Sequence, residues 1–154
     1  MKTWTIASYA LALAGFSACS GSGNVVPKEV HSAFTQMYPN AKNVKWDKEG
    51  DSEWEAEFTL DGEEYSANFL NDGPWKETEY DIEITDIPEP VKNTIEQELV
   101  GYTIEEAEMS ETPEGKFYEF VVEMGPSELE VVITPEGKLI KKQSKETESE
   151  KEND

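Results

Sequence analysis

Few side chains in this chain could support acid–base or nucleophilic catalysis. Among its 154 residues are one His, one Cys and 34 acidic residues. A single Cys excludes an internal disulfide and any multi-cysteine zinc site, and a single His excludes the His clusters of catalytic zinc. His31 directly follows Val30 on a predicted helix, so it points off the apolar stripe and is interpreted as a solvated residue. Neither Ser nor Cys stands in a recognisable nucleophile motif, and we therefore predict that the protein is not an enzyme.

Closely spaced carboxylates are the other candidate for chemistry. Asp47-x-Glu49-x-Asp51-x-Glu53 superficially resembles a calcium loop, but an EF-hand loop needs Gly at position 6 and Glu at position 12. Here Gly50 is at position 4 and Phe58 at position 12, so we interpret the segment as a polar turn. Paired carboxylates could also flank a glycosidic bond, but strand neighbours two apart meet that spacing by default. No catalytic residue, metal site or cofactor is therefore predicted, and weak calcium or small-ligand binding is kept as the alternative function.

The charge balance restricts the class of partner. Thirteen Lys, no Arg and 34 Asp plus Glu give a formal net charge of -21. Phosphate recognition needs clustered cations, so nucleic acid is excluded as a partner. The residues are 36% apolar and 10% aromatic, which is enough for a globular core. Any protein partner of so acidic a chain is expected to be basic.

The first 18 residues have the features of an export signal. A short cationic start is followed by the apolar run Trp4–Phe16, which is too short to span a membrane. Small residues precede Cys19 and a Gly/Ser-rich segment follows it, which resembles a bacterial lipoprotein signal. We predict a signal peptide over 1–18, lipid attachment at Cys19 and a flexible tether over 19–25. Ordinary cleavage after Ala14 is the alternative.

This signal predicts location in the cell envelope. The protein is expected to be lipid-anchored at the outer membrane, on its periplasmic or surface side. It would contact the membrane through the N-terminal lipid alone. Anchored through Cys19, the protein would lie in the same compartment as its expected partner, which is an unidentified protein of the cell envelope.

Two segments have the apolar spacing of a helix face. Each segment begins with an apolar residue followed by Pro, at Val26-Pro27 and at Ile87-Pro88. Pro suits the start of a helix because its missing N–H is not needed there. Pro39 and Gly101 end them. The apolar positions lie at a constant offset of 61 residues: Val30, Phe34 and Tyr38 in the first segment, and Val91, Ile95 and Leu99 in the second.

Each predicted helix is followed by segments in which apolar and polar residues alternate. This alternation is typical of strands with one buried face. Shorter alternating stretches extend the pattern to four strands per copy, with Asp61-Gly62 as a hairpin turn. The clearest match, at an offset of 64 residues, aligns Trp54, Ala56, Phe58 and Leu60 with Tyr118, Phe120, Val122 and Met124.

The predicted fold class is α+β, built from tandem α-β-β-β-β repeats over residues 26–86 and 87–140. Helices are expected to pack on one face of an antiparallel sheet and leave the other face wet. The two units can join edge to edge into one eight-stranded sheet. Residues 141–154 contain no apolar side chain, so we predict a disordered charged tail there.

The wet face of this sheet is the predicted partner-binding surface. Trp46, Trp54 and Trp75 fall on inward positions and are interpreted as core rather than as a carbohydrate platform. The outward positions of the first repeat are acidic and polar, whereas the second repeat adds apolar residues. The residues assigned to partner binding are Glu53, Glu55, Glu57, Glu64, Asn68, Val121 and Val132.

The ordered set of motifs resembles the PepSY-like family of exported Bacteroidetes proteins. The matching motifs are Tyr38-Pro39-x-Ala41-x-x-Val44-x-Trp46, Glu55-Ala56-Glu57-Phe58 and Asp72-Gly73-x-Trp75, after which Ile87-Pro88 restarts the cycle. The resemblance implies a fold similar to the β-lactamase inhibitor protein, although this chain lacks that protein's disulfides. It also implies a non-enzymatic binding role, with inhibition of a peptidase or other hydrolase as one form of it.

Overall fold

The computed structural model describes residues 25–144. The predicted signal over 1–18, the lipid site Cys19 and nearly all of the tether lie outside the described residues, as do residues 145–154. None of the helices within 25–144 has the length and apolar character that a membrane span requires.

One antiparallel sheet of eight strands, with its strands in chain order, carries two helices. This confirms the α+β class and the edge-to-edge sheet. Between β4 and α2 lies a short 3-10 turn over Ile84–Asp86. The elements are α1 Lys28–Met37, β1 Lys42–Glu49, β2 Glu53–Leu60, β3 Glu63–Leu70, β4 Trp75–Asp81, α2 Glu89–Glu98, β5 Thr103–Thr112, β6 Gly115–Met124, β7 Ser127–Ile133 and β8 Leu139–Ser144.

The core consists of two separate hydrophobic clusters, one under each helix. Under α1, Phe34 is surrounded by rings, with its centroid 5.1 Å from those of Trp46 and Phe58. Trp54 is 4% exposed, whereas Trp46 and Trp75 are partly buried at the margin of the cluster. The cluster under α2 is mainly aliphatic and contains Ile87, Val91, Leu99, Phe120, Val122, Leu129, Val131 and Ile133.

Two glycine turns press against the first turns of the helices. Gly73 lies between β3 and β4 with a φ of 104°, and a Cβ there would be 3.0 Å from the backbone oxygen of Glu29. Gly137 lies between β7 and β8 with a φ of 86°, and a Cβ there would clash with the backbone oxygen of Pro90. Both positions combine a positive φ with close backbone approach, so only glycine fits without adjustment.

The predicted disordered tail begins too early. Strand β8 continues to Ser144, so residues 141–144 are part of the sheet. Residues 141–144 of this strand are exposed and polar, so they show no apolar alternation that would indicate a strand. The strand is held instead by its backbone ladder to β7, in which Lys142 lies opposite Val131. Lysine on an edge strand also hinders edge-to-edge association.

Candidate functional site: the open face of the sheet

The side of the sheet opposite the helices, here called the open face, carries the predicted partner-binding residues. On β2 the acidic residues alternate with buried Trp54, Ala56 and Phe58, so they point away from the helices. Register then sets Glu55 opposite Asn68 and Thr59 opposite Glu64 on β3. Val121 and Val132 point to the same side, because their strand neighbours Phe120, Val122, Val131 and Ile133 are buried. The structure therefore places all seven predicted residues on one face.

The centre of the open face holds acidic residues that sequence reasoning did not single out. We call Glu77, Glu79, Glu108 and Glu119 the central carboxylate cluster. One carboxylate oxygen from each of Glu77, Glu79 and Glu119 lies within 4.8 Å of the others. Fully buried Ser110, between β4 and β6, donates a hydrogen bond from its hydroxyl to Oε1 of Glu77.

Register explains why these side chains converge. Glu79 on β4 lies opposite Ser110 on β5, and Glu108 on β5 lies opposite Glu119 on β6. Glu77 lies two residues before Glu79 on β4 and points to the same side. Like charges that lie directly opposite each other destabilise an antiparallel pair. The cluster is therefore an unfavourable arrangement if every member is ionised.

Burial and mutual repulsion change the protonation of the cluster. The pKa of Glu79 is raised to about 8 from an ordinary 4.5. Burial is the main cause, and the negative charges of Glu77, Glu108 and Glu119 add to it. Burial, followed by the charge of Asp81, raises the pKa of Glu108 to about 7. The pKa of Glu119 is also raised, mainly by burial. The raised pKa values of Glu79 and Glu108 therefore favour a protonated carboxyl in the cluster near neutral pH.

A second raised carboxyl lies in the first half of the open face. Burial, followed by the charges of Glu49, Glu57 and Asp47, raises the pKa of Glu55 to about 7. Glu57 beside it is paired with Lys45 at 3.5 Å, in an exposed ion pair. The half-buried state of Glu55 differs from the fully solvated acidic face that the alternation suggested.

The ion pairs of the open face in residues 25–144 lie toward its margins. Lys76 Nζ is 2.7 Å from Oε1 of Glu53, and Lys141 Nζ is 2.7 Å from Oε2 of Glu130. Exposed pairs of this kind contribute little to stability. Their effect on the surface is to leave negative charge concentrated along the middle of the sheet.

The segment that resembled a calcium loop is the hairpin between β1 and β2. Lys48 donates hydrogen bonds from Nζ to the carbonyl oxygens of Gly50 at 3.2 Å and Asp51 at 2.8 Å. Its ammonium group therefore binds two backbone carbonyls of the turn. The turn itself spans residues 50–52, whereas Asp47 and Glu49 lie on β1 and Glu53 begins β2. Oxygen ligands of the kind that calcium prefers come together instead at Glu77, Glu79 and Glu119.

His31 is an exposed residue on α1, as predicted. Its Nδ1 is 3.4 Å from the hydroxyl oxygen of Thr35, one helical turn later. A shallow, open depression beside it is lined by residues of the same helix and by Val26. It lies on the helix-bearing side and is separate from the open face.

Comparison with known proteins gives a family and a fold. The family model described as "Putative beta-lactamase-inhibitor-like, PepSY-like" matches residues 20–64 and 52–141. No curated protein sequence matches the chain significantly.

Three crystal structures of Bacteroides proteins are similar in fold. A BLIP-like protein from Bacteroides fragilis has 22% identity and a TM-score of 0.71, covering 82% of this chain and 94% of its own. A DUF2874 family protein from Bacteroides ovatus has 24% identity and a TM-score of 0.71, covering 79% and 89%. A protein from Bacteroides eggerthii described as "putative periplasmic proteins" has 21% identity and a TM-score of 0.70, covering 78% and 89%.

Proposed function

The chain belongs to the PepSY-like family, and from that membership we propose that it is a non-enzymatic, protein-binding module of the cell envelope. The open face of the sheet is the binding surface. The observation that carries this proposal is the concentration of carboxylates on one uncovered face, with half-buried members at its centre. The family description as inhibitor-like supports a binding role over catalysis.

The chemistry of the open face favours a basic partner. The first half presents Glu53, Glu55, Glu57 and Glu64, and such a field raises the association rate with a positively charged surface at low salt. The second half sets partly buried Phe117, Val121 and Val132 beside acidic neighbours. A mixed apolar and charged surface is typical of protein contact patches.

We propose that the specific form of this binding is inhibition of a hydrolase of the cell envelope. The description of the B. fragilis structure as BLIP-like supports it at the level of the fold. The partner would be a peptidase or other hydrolase with a basic surface around its active site. Binding without inhibition would leave the broader proposal intact.

The two halves of the chain are proposed to be copies of one α-β-β-β-β unit. Equivalent turns support this: Gly73 N–H donates to Leu70 O, and Gly137 N–H donates to Thr134 O, both at 2.8 Å. The glycine contacts with Glu29 and Pro90 are related by the same offsets of 64 and 61 residues that align the sequence. One open face assembled from two copies gives a longer contact surface than either copy alone.

Charge reversal on the open face tests the binding proposal. Changing Glu55 and Glu57 together to Lys is expected to weaken partner binding by roughly tenfold or more at low salt, because complementary charge is lost. The partner is first identified by capture from envelope extracts and then purified. Calorimetry then measures its affinity for each variant at about 50 and about 200 mM salt, because salt screens the attraction between the charged surfaces.

A matched control removes the effect of net charge. Glu63 and Glu114 are exposed at turns away from the cluster, and changing both to Lys alters the total charge by the same amount. This variant should retain most of the affinity. If both double variants bind equally well and with equal salt dependence, the open face is not the binding surface.

Lipid attachment at Cys19 is a separate part of the proposal. It is motivated by the small residues before a lone Cys, and one neighbour's description as periplasmic is consistent with envelope location. Changing Cys19→Ala is expected to move the protein from the membrane fraction to the soluble fraction, because a multiply acylated N-terminus anchors stably. An intact mass showing an unmodified Cys19 in the mature protein would contradict this.

Calcium binding is the second candidate function, favoured by the convergence of Glu77, Glu79 and Glu119. Under the binding proposal, millimolar calcium should leave the melting temperature nearly unchanged. A large calcium-dependent rise that disappears in Glu79→Gln, together with partner binding that ignores the charge reversals, would favour this alternative.

A further inference from the structure

Strand β1 lies at an edge of the sheet, and within residues 25–144 it pairs with β2 alone. Its outer side therefore presents backbone N–H and C=O groups that another strand could bind. A bulge interrupts the strand between Lys42 and Lys45, where Asn43 has a φ of 55°. Bulges bend an edge and limit its pairing. The ladder to β2 is regular from Lys45 onward, so that part of the edge is suited to a further strand.

The side chains around Trp46 are complementary to themselves. Trp46 packs toward α1, with its ring centroid 5.1 Å from that of Phe34, so Lys45 and Asp47 point to the open face. An antiparallel pair of β1 strands centred on Trp46 would set Lys45 of each copy opposite Asp47 of the other. The two Trp46 side chains would lie opposite each other on the helix side. Opposite charges and aromatic pairs in these positions stabilise antiparallel strands.

The neighbouring registers that keep both open faces on the same side lack this match. A pairing centred on Lys45 sets two ammonium groups opposite each other, and one centred on Asp47 does the same with two carboxylates. Like charges directly opposite destabilise an antiparallel pair. The charges of β1 therefore favour the register centred on Trp46.

Asp47 lacks a positive partner in the described part of the chain. It lies opposite Glu55 on β2, and within residues 25–144 it forms no ion pair. The side chain of Lys45 is 75% exposed, and its Nζ lies 3.5 Å from Oε2 of Glu57. This loose, exposed pair leaves the ammonium group accessible to a second carboxylate. Lys45 of a second copy would supply the charge that Asp47 lacks.

Apolar side chains on β1 are also incompletely covered. Trp46 is only partly buried, at the margin of the cluster under α1, and Val44 is 36% exposed. A second β1 strand would cover both. The opposite edge of the sheet differs, because β8 carries Lys141 and Lys142 and no acidic residue. Two β8 strands would bring lysines together, which hinders pairing.

We propose that β1 is a dimerisation edge, through which two copies of this chain join antiparallel strands centred on Trp46 into one continuous sheet. The two-fold axis runs perpendicular to the sheet, so the helices of both copies lie on one side and both open faces on the other. The dimer presents two open faces side by side, which strengthens binding to a partner with repeated sites. The dimer itself forms without the partner proposed above.

The contact is expected to be weak for free copies. A ladder of about five residues buries less surface than the roughly 1,200–2,000 Å² of stable interfaces, so we expect a dissociation constant on the order of 100 µM. Sedimentation equilibrium on the full mature chain in density-matched detergent, up to about 1 mM protein and at about 50 mM salt, measures it.

Charge changes on β1 test the register. Lys45→Glu and Asp47→Lys each set like charges opposite each other at two symmetric positions, so each should raise the dissociation constant by about tenfold or more. Combining Lys45→Asp with Asp47→Lys in one chain restores opposite charges and should return the constant to within about threefold of the original. Mixing the two single variants provides a second test, because each then faces the opposite charge on the other copy.

A matched control separates the register from net charge. Lys138 is exposed on the turn before β8, and Lys138→Glu changes the total charge as much as Lys45→Glu does. It should leave the dissociation constant unchanged. Circular dichroism checks that every variant is folded. A chain that stays monomeric up to about 1 mM, equal weakening by Lys138→Glu and Lys45→Glu, or failure of both the combined variant and the mixture to restore association would overturn the inference.

Discussion

Changing Phe58→Ala is expected to lower the free energy of unfolding by about 3–5 kcal/mol, the usual cost of truncating a buried Phe. Phe58 is 3% exposed, and its ring centroid lies 4.6 Å from that of Tyr38 and 5.1 Å from that of Phe34. It also stacks on Tyr65 at 5.6 Å. Removal of the ring leaves a cavity between α1 and the sheet that these rigid rings cannot fill. Urea unfolding followed by Trp fluorescence measures the change.

The matched control lies one residue away. Glu57 points to the open face, where it forms an exposed ion pair with Lys45, so Glu57→Ala should change stability by about 0.5 kcal/mol or less. Val122, at 0% exposure in the cluster under α2, provides the equivalent test in the second half. Val122→Ala should cost roughly 1–3 kcal/mol, less than Phe58→Ala because fewer atoms are removed. Equal damage from Glu57→Ala and Phe58→Ala would contradict the strand register.

Much of the fold could be predicted because buried positions leave a periodic pattern. Val30 and Phe34 follow helical spacing and are buried on α1, and Trp54, Ala56 and Phe58 follow strand alternation and are buried on β2. Asp61-Gly62 forms the hairpin turn, with both residues at positive φ. These features are local, so a single sequence is sufficient to detect them.

The end of the sheet and the central carboxylate cluster could not be predicted in this way. Lys141 and Lys142 belong to a strand only because the backbone of β7 is available beside them. Glu79 and Glu119 are 40 residues apart, and they meet only through the register of β4 with β5 and of β5 with β6. Alternation reports which side a residue faces, but it does not report its neighbours on other strands. Glu77 and Glu79 do alternate with Thr78, which is the one signal that could have placed them on the open face.

Gly73 and Gly137 lie 64 residues apart, so the sequence marks them as equivalent turns, but it does not show that these turns contact the helices. Changing Gly137→Ala is expected to cost about 2–5 kcal/mol, from about 1–2 kcal/mol for a positive φ and about 1–3 kcal/mol for overpacking. The new methyl group would clash with the backbone oxygen of Pro90 and would lie 2.9 Å from its carbonyl carbon. Both atoms belong to the backbone of α2, so relief requires the helix or the turn to move.

Substitutions at two other glycines separate the cost of the helix contact from the cost of the backbone conformation. Gly73 has a φ of 104° but a looser approach of 3.0 Å to Glu29, so Gly73→Ala should cost less than Gly137→Ala. Gly62 has a φ of 100° with nothing within 4 Å, so Gly62→Ala isolates the conformational cost, about 1–2 kcal/mol. Thermal unfolding followed by circular dichroism should show the largest loss of stability for Gly137→Ala, a smaller loss for Gly73→Ala and the smallest for Gly62→Ala. Equal losses would mean that backbone conformation alone requires glycine, and that contact with the helices does not fix the turns.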